Sequence, residues 1–284
     1  SDCLKRRNED ASLDMDTRVA FYRHSLGERE VQAIRDVLAG PILTTGEAVE
    51  RFESSFAAYL GVDHALAVTS CTGALHMSLL ALGIGPGDEV ITTPMTFVAT
   101  ATAVLEAGAT PVFVDVEERT GNIDAGVVEG AITSRTKAII PVHLYGQMCD
   151  MKALRTIADR HGLSIVEDAA HCIEGSRDGI RPGQVSETAC FSFYATKNIT
   201  CGEGGAVVTR HRDLYDKLRL LRLHGMTKTA YDRHREGYRH WDMTVMGWKY
   251  NMDNIHAAML IPQLMVIENT HDERERLAKA YDER

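Results

Sequence analysis

Along the chain the apolar positions begin at helical spacing and then switch to short, unbroken runs. From Gly27 to Ala39, Val31, Ile34, Val37 and Leu38 recur three and four residues apart, and Gly40-Pro41 stops the pattern. A second helix is predicted from Glu47 to Leu60, with Val49, Phe52, Phe56 and Tyr59 on one face. Strand-like apolar runs follow at 65–69, 89–92, 111–115, 137–141 and 163–167. Helical segments over about 72–82, 97–106, 125–132 and 150–161 separate them. Two more strands, 189–193 and 205–209, bracket a glycine-rich turn around Lys197. Helices at about 212–223 and 252–267 come next, then a charged helical run to Arg284. Apolar strands alternating with helices of this length predict βαβ units and a mostly parallel sheet covered on both faces. The fold class is therefore α/β.

Composition narrows the picture. With 284 residues, 44% of them apolar and 25% charged, the chain can build one large globular domain with a small appendage. The net charge of −9 argues against a nucleic-acid or anionic-membrane surface. There is no uninterrupted run of 18 apolar residues, so no transmembrane helix is predicted. Residues 1–26 read as a charged, aperiodic N-terminal arm, and Lys5-Arg6-Arg7 leads into acidic sequence, not a secretion signal. The six cysteines (3, 71, 149, 172, 190, 201) form no CxxC pair, which points to reduced thiols in a cytoplasmic protein, with neither a metal site nor a disulfide framework.

Candidate chemistry sits at the predicted carboxyl ends of strands, where open α/β sheets bind ligands. Thr69-Ser70-Cys71-Thr72-Gly73 joins a strand to a helix, and hydroxyls with backbone N–H groups there make either a plain N-cap or an anion site. Glu167-Asp168-Ala169-Ala170-His171 ends another strand. Its acid could cap a helix, or Asp168 could pair with a protonated heterocyclic nitrogen with His171 beside the same ring. Lys197 lies between an apolar strand and Gly202-Glu203-Gly204-Gly205. It is either a surface loop lysine or an amine whose partial desolvation suits it to attack a carbonyl. Ser192 offers a second hydroxyl for a phosphate, and Phe97 is either a core aromatic or a ring that stacks on a flat ligand.

Several ordered motifs resemble the DegT/DnrJ-type sugar aminotransferases. They are Ser70-Cys71-Thr72, the stretch Gly85–Thr92, Pro111–Val116, Ile140–Gly146, Glu167–His171, Phe191-Ser192-Phe193, Thr196–Gly205 and Gly247–Met252. The resemblance runs from about Gly27 to the end of the chain. It implies a three-layer α/β/α large domain of the aspartate-aminotransferase type over 27–260. Residues 261–284 would begin a helix leading to a small C-terminal domain that is largely absent from this chain. It also implies pyridoxal 5′-phosphate (PLP) as cofactor. Lys197 would be the Schiff-base lysine and proton shuttle, Asp168 the partner of the pyridinium nitrogen, and His171 a neighbour of the ring. Phe97 would stack on that ring. Cys71 (through its backbone), Thr72 and Ser192 would hold the phosphate, and Asn251 would reach a phosphate across a homodimer interface with shared active sites. Such enzymes move an amino group, usually from glutamate, onto a keto group of a nucleotide-linked sugar, and serve surface-polysaccharide or antibiotic-sugar routes. Two other functions stand beside this one. Related dehydratases carry histidine at the lysine position, so Lys197 favours transamination. A truncated homologue that binds cofactor without turnover is the other. The segment Arg233–His240 reads as a solvated loop, or as a basic patch that meets nucleotide phosphates.

Overall fold

The computed structural model describes residues 22–228, 231, 232, 234, 240 and 242–283. The predicted arm up to Phe21, and Arg233 and 235–239 of the basic segment, lie outside the described residues.

The helices form where the spacing predicts them. Glu28–Ala39 (α1) opens on Gly27, whose N–H is held by the Glu30 carboxylate at 2.7 Å, a cap supplied from inside the first turn. Glu47–Leu60 (α2) ends on Gly61, whose left-handed φ of 70° is the usual glycine stop. Then come His64–Val68 (β1), Cys71–Ala81 (α3), Glu89–Thr92 (β2), Ala99–Glu106 (α4), Thr110–Phe113 (β3), Ala125–Val128 (α5), Thr136–Ile139 (β4), Met151–His161 (α6) and Ser164–Asp168 (β5). Thr188–Ser192 (β6), Gly205–Thr209 (β7), Arg212–Leu221 (α7), Asn254–Leu264 (α8) and Ile267–Asp282 (α9) complete the series.

The strands make a seven-stranded sheet among the described residues, in the order β1-β7-β6-β5-β4-β2-β3. Only β7 runs against its neighbours β1 and β6, so the sheet is mostly parallel, as predicted. The period-two alternation of each strand splits its apolar residues between two cores. Ala67, Ile91, Ile139, Ile165, Phe191 and Val208 face one, together with α2, α6 and α8. Val68, Val90, Ile140, Val166, Cys190 and Val207 face the other, under α3, α4 and α7. Aromatic packing anchors the first core. Phe52 and Phe56 stack at 5.4 Å on α2, and Phe56 meets Phe191 edge-on at 5.0 Å.

Some boundaries moved. β1 stops at Val68, because the Thr69 N–H turns away to the Tyr250 carbonyl at 2.8 Å. α4 begins at Ala99, which leaves Phe97 in the turn before it, its carbonyl accepting from Thr100 N–H at 3.2 Å. β3 is an edge strand and half exposed, which is why Phe113 stands 50% accessible although it belongs to an apolar run.

Candidate active site

The carboxyl ends of β1, β5 and β6 open onto one edge of the sheet, on the α3 side. Alternation explains the arrangement. Val166 and Asp168 of β5 point toward α3, whereas Ile165 and Glu167 point to the aromatic core. Asp168 is thereby delivered, almost wholly buried, to the end of the strand facing α3. Its Oδ2 accepts from the Thr100 hydroxyl at 2.7 Å and its Oδ1 from Ala170 N–H at 3.2 Å, with the Cys71 thiol 4.0 Å away. Burial first, and then the Asp168 charge, push the Cys71 thiol well above its usual range, so it stays protonated.

α3 begins at Cys71 with Ser70 as its cap, the Ser70 hydroxyl accepting from Gly73 N–H at 3.0 Å. The helix end and β7 touch backbone to backbone. A Cβ on Gly205 would lie 2.4 Å from the Ser70 carbonyl carbon and 2.6 Å from Cys71 N, so no larger residue fits there. Thr72 is half-buried on the first turn. Ser192, the last residue of β6, is buried, and its hydroxyl accepts from Tyr194 N–H at 3.3 Å.

Lys197 sits on the loop joining β6 to β7, and the loop is braced from several sides. Lys197 N–H donates to the Tyr194 carbonyl at 2.9 Å and Cys201 N–H to the Phe193 carbonyl at 3.1 Å. Gln263 of α8 grips Thr200 at both its N–H (3.0 Å) and its carbonyl (2.8 Å), while Asn198 donates to Glu174 at 2.7 Å. Held in this way, Lys197 Nζ lies 2.5 Å from His171 Nε2. Burial lowers the Lys197 pKa, against the opposing pull of the Asp168 carboxylate. The His171 imidazole is lowered too, by partial burial and then by the Lys197 charge. Amine, imidazole and carboxylate thus share one electrostatic neighbourhood. This is a setting in which a lysine gives up its proton more readily than it would in water.

The structure brings Cys71, Asp168, His171 and Lys197 together, with Thr72 on the first turn of the adjoining helix and Ser192 at the end of the adjoining strand. Phe97 stands 78% exposed in the turn before α4, three residues from the threonine that holds Asp168, on the rim and not in a core. Asn251 bridges to Val68 at the end of β1. Its amide is already used within the chain: Nδ2 donates to Thr45 at 2.7 Å, and Oδ1 accepts from Lys249. Sequence reasoning missed Thr100, whose only signal was a hydroxyl on the α4 face turned to the sheet. It also missed the buried pair behind the site, in which His143 Nε2 meets Glu167 Oε2 at 2.6 Å. Both members of that pair lie in quoted motifs, but their contact joins segments 24 residues apart.

The donor set fits a phosphorylated pyridine aldehyde: a buried carboxylate, an amine of lowered pKa, a helix N-terminus and neighbouring hydroxyls. Among the described residues no helix is long and apolar enough to cross a membrane, and no group of three or more potential ligands could hold a metal ion.

Residues 24–284 match the DegT/DnrJ/EryC1/StrS aminotransferase family. The spore coat polysaccharide biosynthesis protein SpsC of Bacillus subtilis (strain 168) is 45% identical over 257 residues, which are 90% of this chain and 66% of SpsC. DesV of S. venezuelae superposes with a TM-score of 0.83 at 43% identity, covering 89% of this chain and 66% of DesV. Spr1654 of Streptococcus pneumoniae in its PMP-form gives a TM-score of 0.88 at 30% identity, covering 94% and 72%. The chain spans about two thirds of the length of these relatives.

Proposed function

The chain belongs to the DegT/DnrJ/EryC1/StrS aminotransferase family, and from that premise we propose that it transfers an amino group from glutamate to the keto group of a nucleotide-linked sugar. The cofactor of this family is pyridoxal 5′-phosphate, and solved relatives carry its PLP and PMP forms. When bound, it supplies an aldehyde that takes up amines and a cationic ring that accommodates an electron pair. The remaining work falls to side chains of this chain. Asp168 keeps the ring nitrogen protonated, and Thr100 fixes the carboxylate that does so. The α3 N-terminus at Cys71 and Thr72, with the Ser192 hydroxyl, receives the phosphate. Lys197 Nζ would hold the cofactor's aldehyde and would take up and return the proton moved at the substrate carbon. His171 Nε2 accepts or returns that proton and keeps the amine oriented. Phe97 lies on the rim, where its ring can cover the cofactor.

The observation that carries this reading is the 2.5 Å approach of Lys197 to His171, with the amine pKa depressed and Asp168 as its charged neighbour. We further propose a homodimer, in which Asn251 would reach the partner's phosphate site only by giving up its bonds to Thr45 and Lys249. The support is a rim of exposed apolar groups at Met95, Phe97 and Val98. The test is the Lys197→Ala variant. The unmodified chain, treated with PLP and borohydride, should yield one labelled peptide containing Lys197 and should convert glutamate to 2-oxoglutarate. The variant should lose the label and roughly 10²–10⁴-fold of the rate. A labelled peptide elsewhere in the chain would overturn the assignment. A panel of UDP-, dTDP- and GDP-linked 4-keto-6-deoxyhexoses identifies the acceptor.

A further inference from the structure

Tyr145 is held in a backbone conformation that its side chain disfavours, at the mouth of the site, and it is largely exposed. Its φ of 53° and ψ of 24° are left-handed, and its side chain is 81% exposed. Strain of this kind persists only where the surroundings dictate it, and here they do. The buried Asn122 clamps the loop on both sides, accepting from Leu144 N–H at 3.0 Å and donating to the Gln147 carbonyl at 3.0 Å. Cys172 donates to the Gly146 carbonyl at 3.2 Å, and a Cβ on Gly146 would sit 3.0 Å from the His171 carbonyl oxygen. The loop is thus seated directly against the His171 backbone. Two other non-glycine residues among those described have positive φ, Asp178 and His224. Asp178 lies in the short turn between Arg177 and Ile180, a place where aspartate is tolerated, and His224 packs its backbone against Trp248. Tyr145 is the one that touches a candidate catalytic side chain. Its ring meets that of His171 edge-on, at 86° and 6.2 Å between centroids, and His171 reaches Lys197.

We propose that Tyr145 is the platform on which the keto-hexose ring of the acceptor rests. This rests on the function proposed above. The carbonyl carbon of any acceptor must come to the Lys197 amine, so the part of a nucleotide-sugar beside His171 is its hexose, with the diphosphate and base farther out. An aromatic face turned to solvent there matches the apolar C–H face of a sugar ring. Glutamate, flexible and without a ring, has no use for it. Tyr145 therefore bears chiefly on acceptor binding, and on the donor half-reaction only through its edge contact with His171.

The experiment compares Tyr145→Ala, Tyr145→Phe and Tyr145→Gly in the full chain, using the 4-keto-6-deoxyhexose from the panel that the unmodified chain aminates fastest. Tyr145→Ala should raise the acceptor KM about 3- to 10-fold with little change in kcat, whereas Tyr145→Phe should stay near the parent value. The glutamate half-reaction should lose clearly less than the acceptor half-reaction in Tyr145→Ala, since it meets Tyr145 only through His171. Tyr145→Gly should melt at the same temperature or higher, since glycine relieves the left-handed strain. The corresponding nucleoside diphosphate alone should inhibit parent and Tyr145→Ala equally. An unchanged acceptor KM, an equal loss in the glutamate half-reaction, failure of Tyr145→Phe to restore binding, a lowered melting temperature in Tyr145→Gly, or weaker inhibition of Tyr145→Ala by the diphosphate would each overturn the proposal. Failure of the underlying function is a separate result, visible in the unmodified chain as no glutamate-dependent amination of any keto-sugar, and it removes the platform's role with it.

Discussion

Glu167 and Asp168 are consecutive carboxylates on one strand, and they lead opposite lives. Glu167 faces the aromatic core and is fully enclosed. His143 Nε2 lies 2.6 Å from its Oε2, while Gly183 N–H (2.8 Å) and the Ser186 hydroxyl donate to its Oε1. Both of its oxygens are engaged inside the protein. Asp168 faces α3, and its partners are a hydroxyl, a distant thiol and one N–H, which leaves a charged group turned toward Lys197. A single step along a strand separates a closed structural pair from an open chemical one. Buried charge is a functional signal only where its partners leave it unfinished. Backbone bonds join the two sites, because His143 N–H donates to the Asp168 carbonyl at 3.0 Å. The closed pair thus helps hold the open one in place.

The sharpest test of this contrast removes the open charge. Asp168→Asn should lower glutamate-dependent turnover by roughly 10²–10³-fold, the scale of losing one preorganised electrostatic partner, while the denaturation midpoint hardly moves. A loss of stability as large as the loss of rate would erase the distinction. Removing the closed charge should do the reverse. Glu167→Ala strands a buried imidazole, an N–H and a hydroxyl, and should cost about 3–5 kcal/mol in urea denaturation. Cofactor binding should survive in the folded fraction. The smallest effect at neutral pH is a titration. Burial alone would lower the His143 pKa, but the Glu167 carboxylate at its Nε2 raises it, to about 10 from a usual value near 6.5. Between those values the folded chain binds a proton that the unfolded chain has released, so stability falls as pH rises. The contribution is complete below pH 6.5 and gone above about 10. Melting temperatures measured across that window should decline more steeply in the parent chain than in His143→Gln. Parallel curves would mean that the imidazole is neutral throughout.

Much of the fold was legible in the order of apolar and polar residues. The helix 47–60 and the strands 89–92 and 205–209 fall where the pattern put them, because their apolar residues meet one continuous buried surface. Short unbroken apolar runs between helices could only be strands covered on both sides, and that alone implied a mostly parallel sheet. The motif order was sufficient to name the family and to nominate Asp168, His171 and Lys197, since strand ends and glycine turns are local features. Sequence could not say that Phe97 would be left exposed on the rim or that β3 would be an edge. Exposure depends on what lies alongside, and strand order is set by the packing of the whole sheet.

What the sequence determined by itself was therefore periodic or local: which stretches become helix and strand, where the chain turns, and which residue types stand at the turns. What the tertiary structure decided was which of two neighbouring acids is closed and which is open, that Thr100 steadies Asp168 across 68 residues, and that Tyr145 is forced into a left-handed bend beside His171. The physical reason is the same in each case. A strand's alternation says that two side chains part company, but only the layers packed on either face decide what each of them meets.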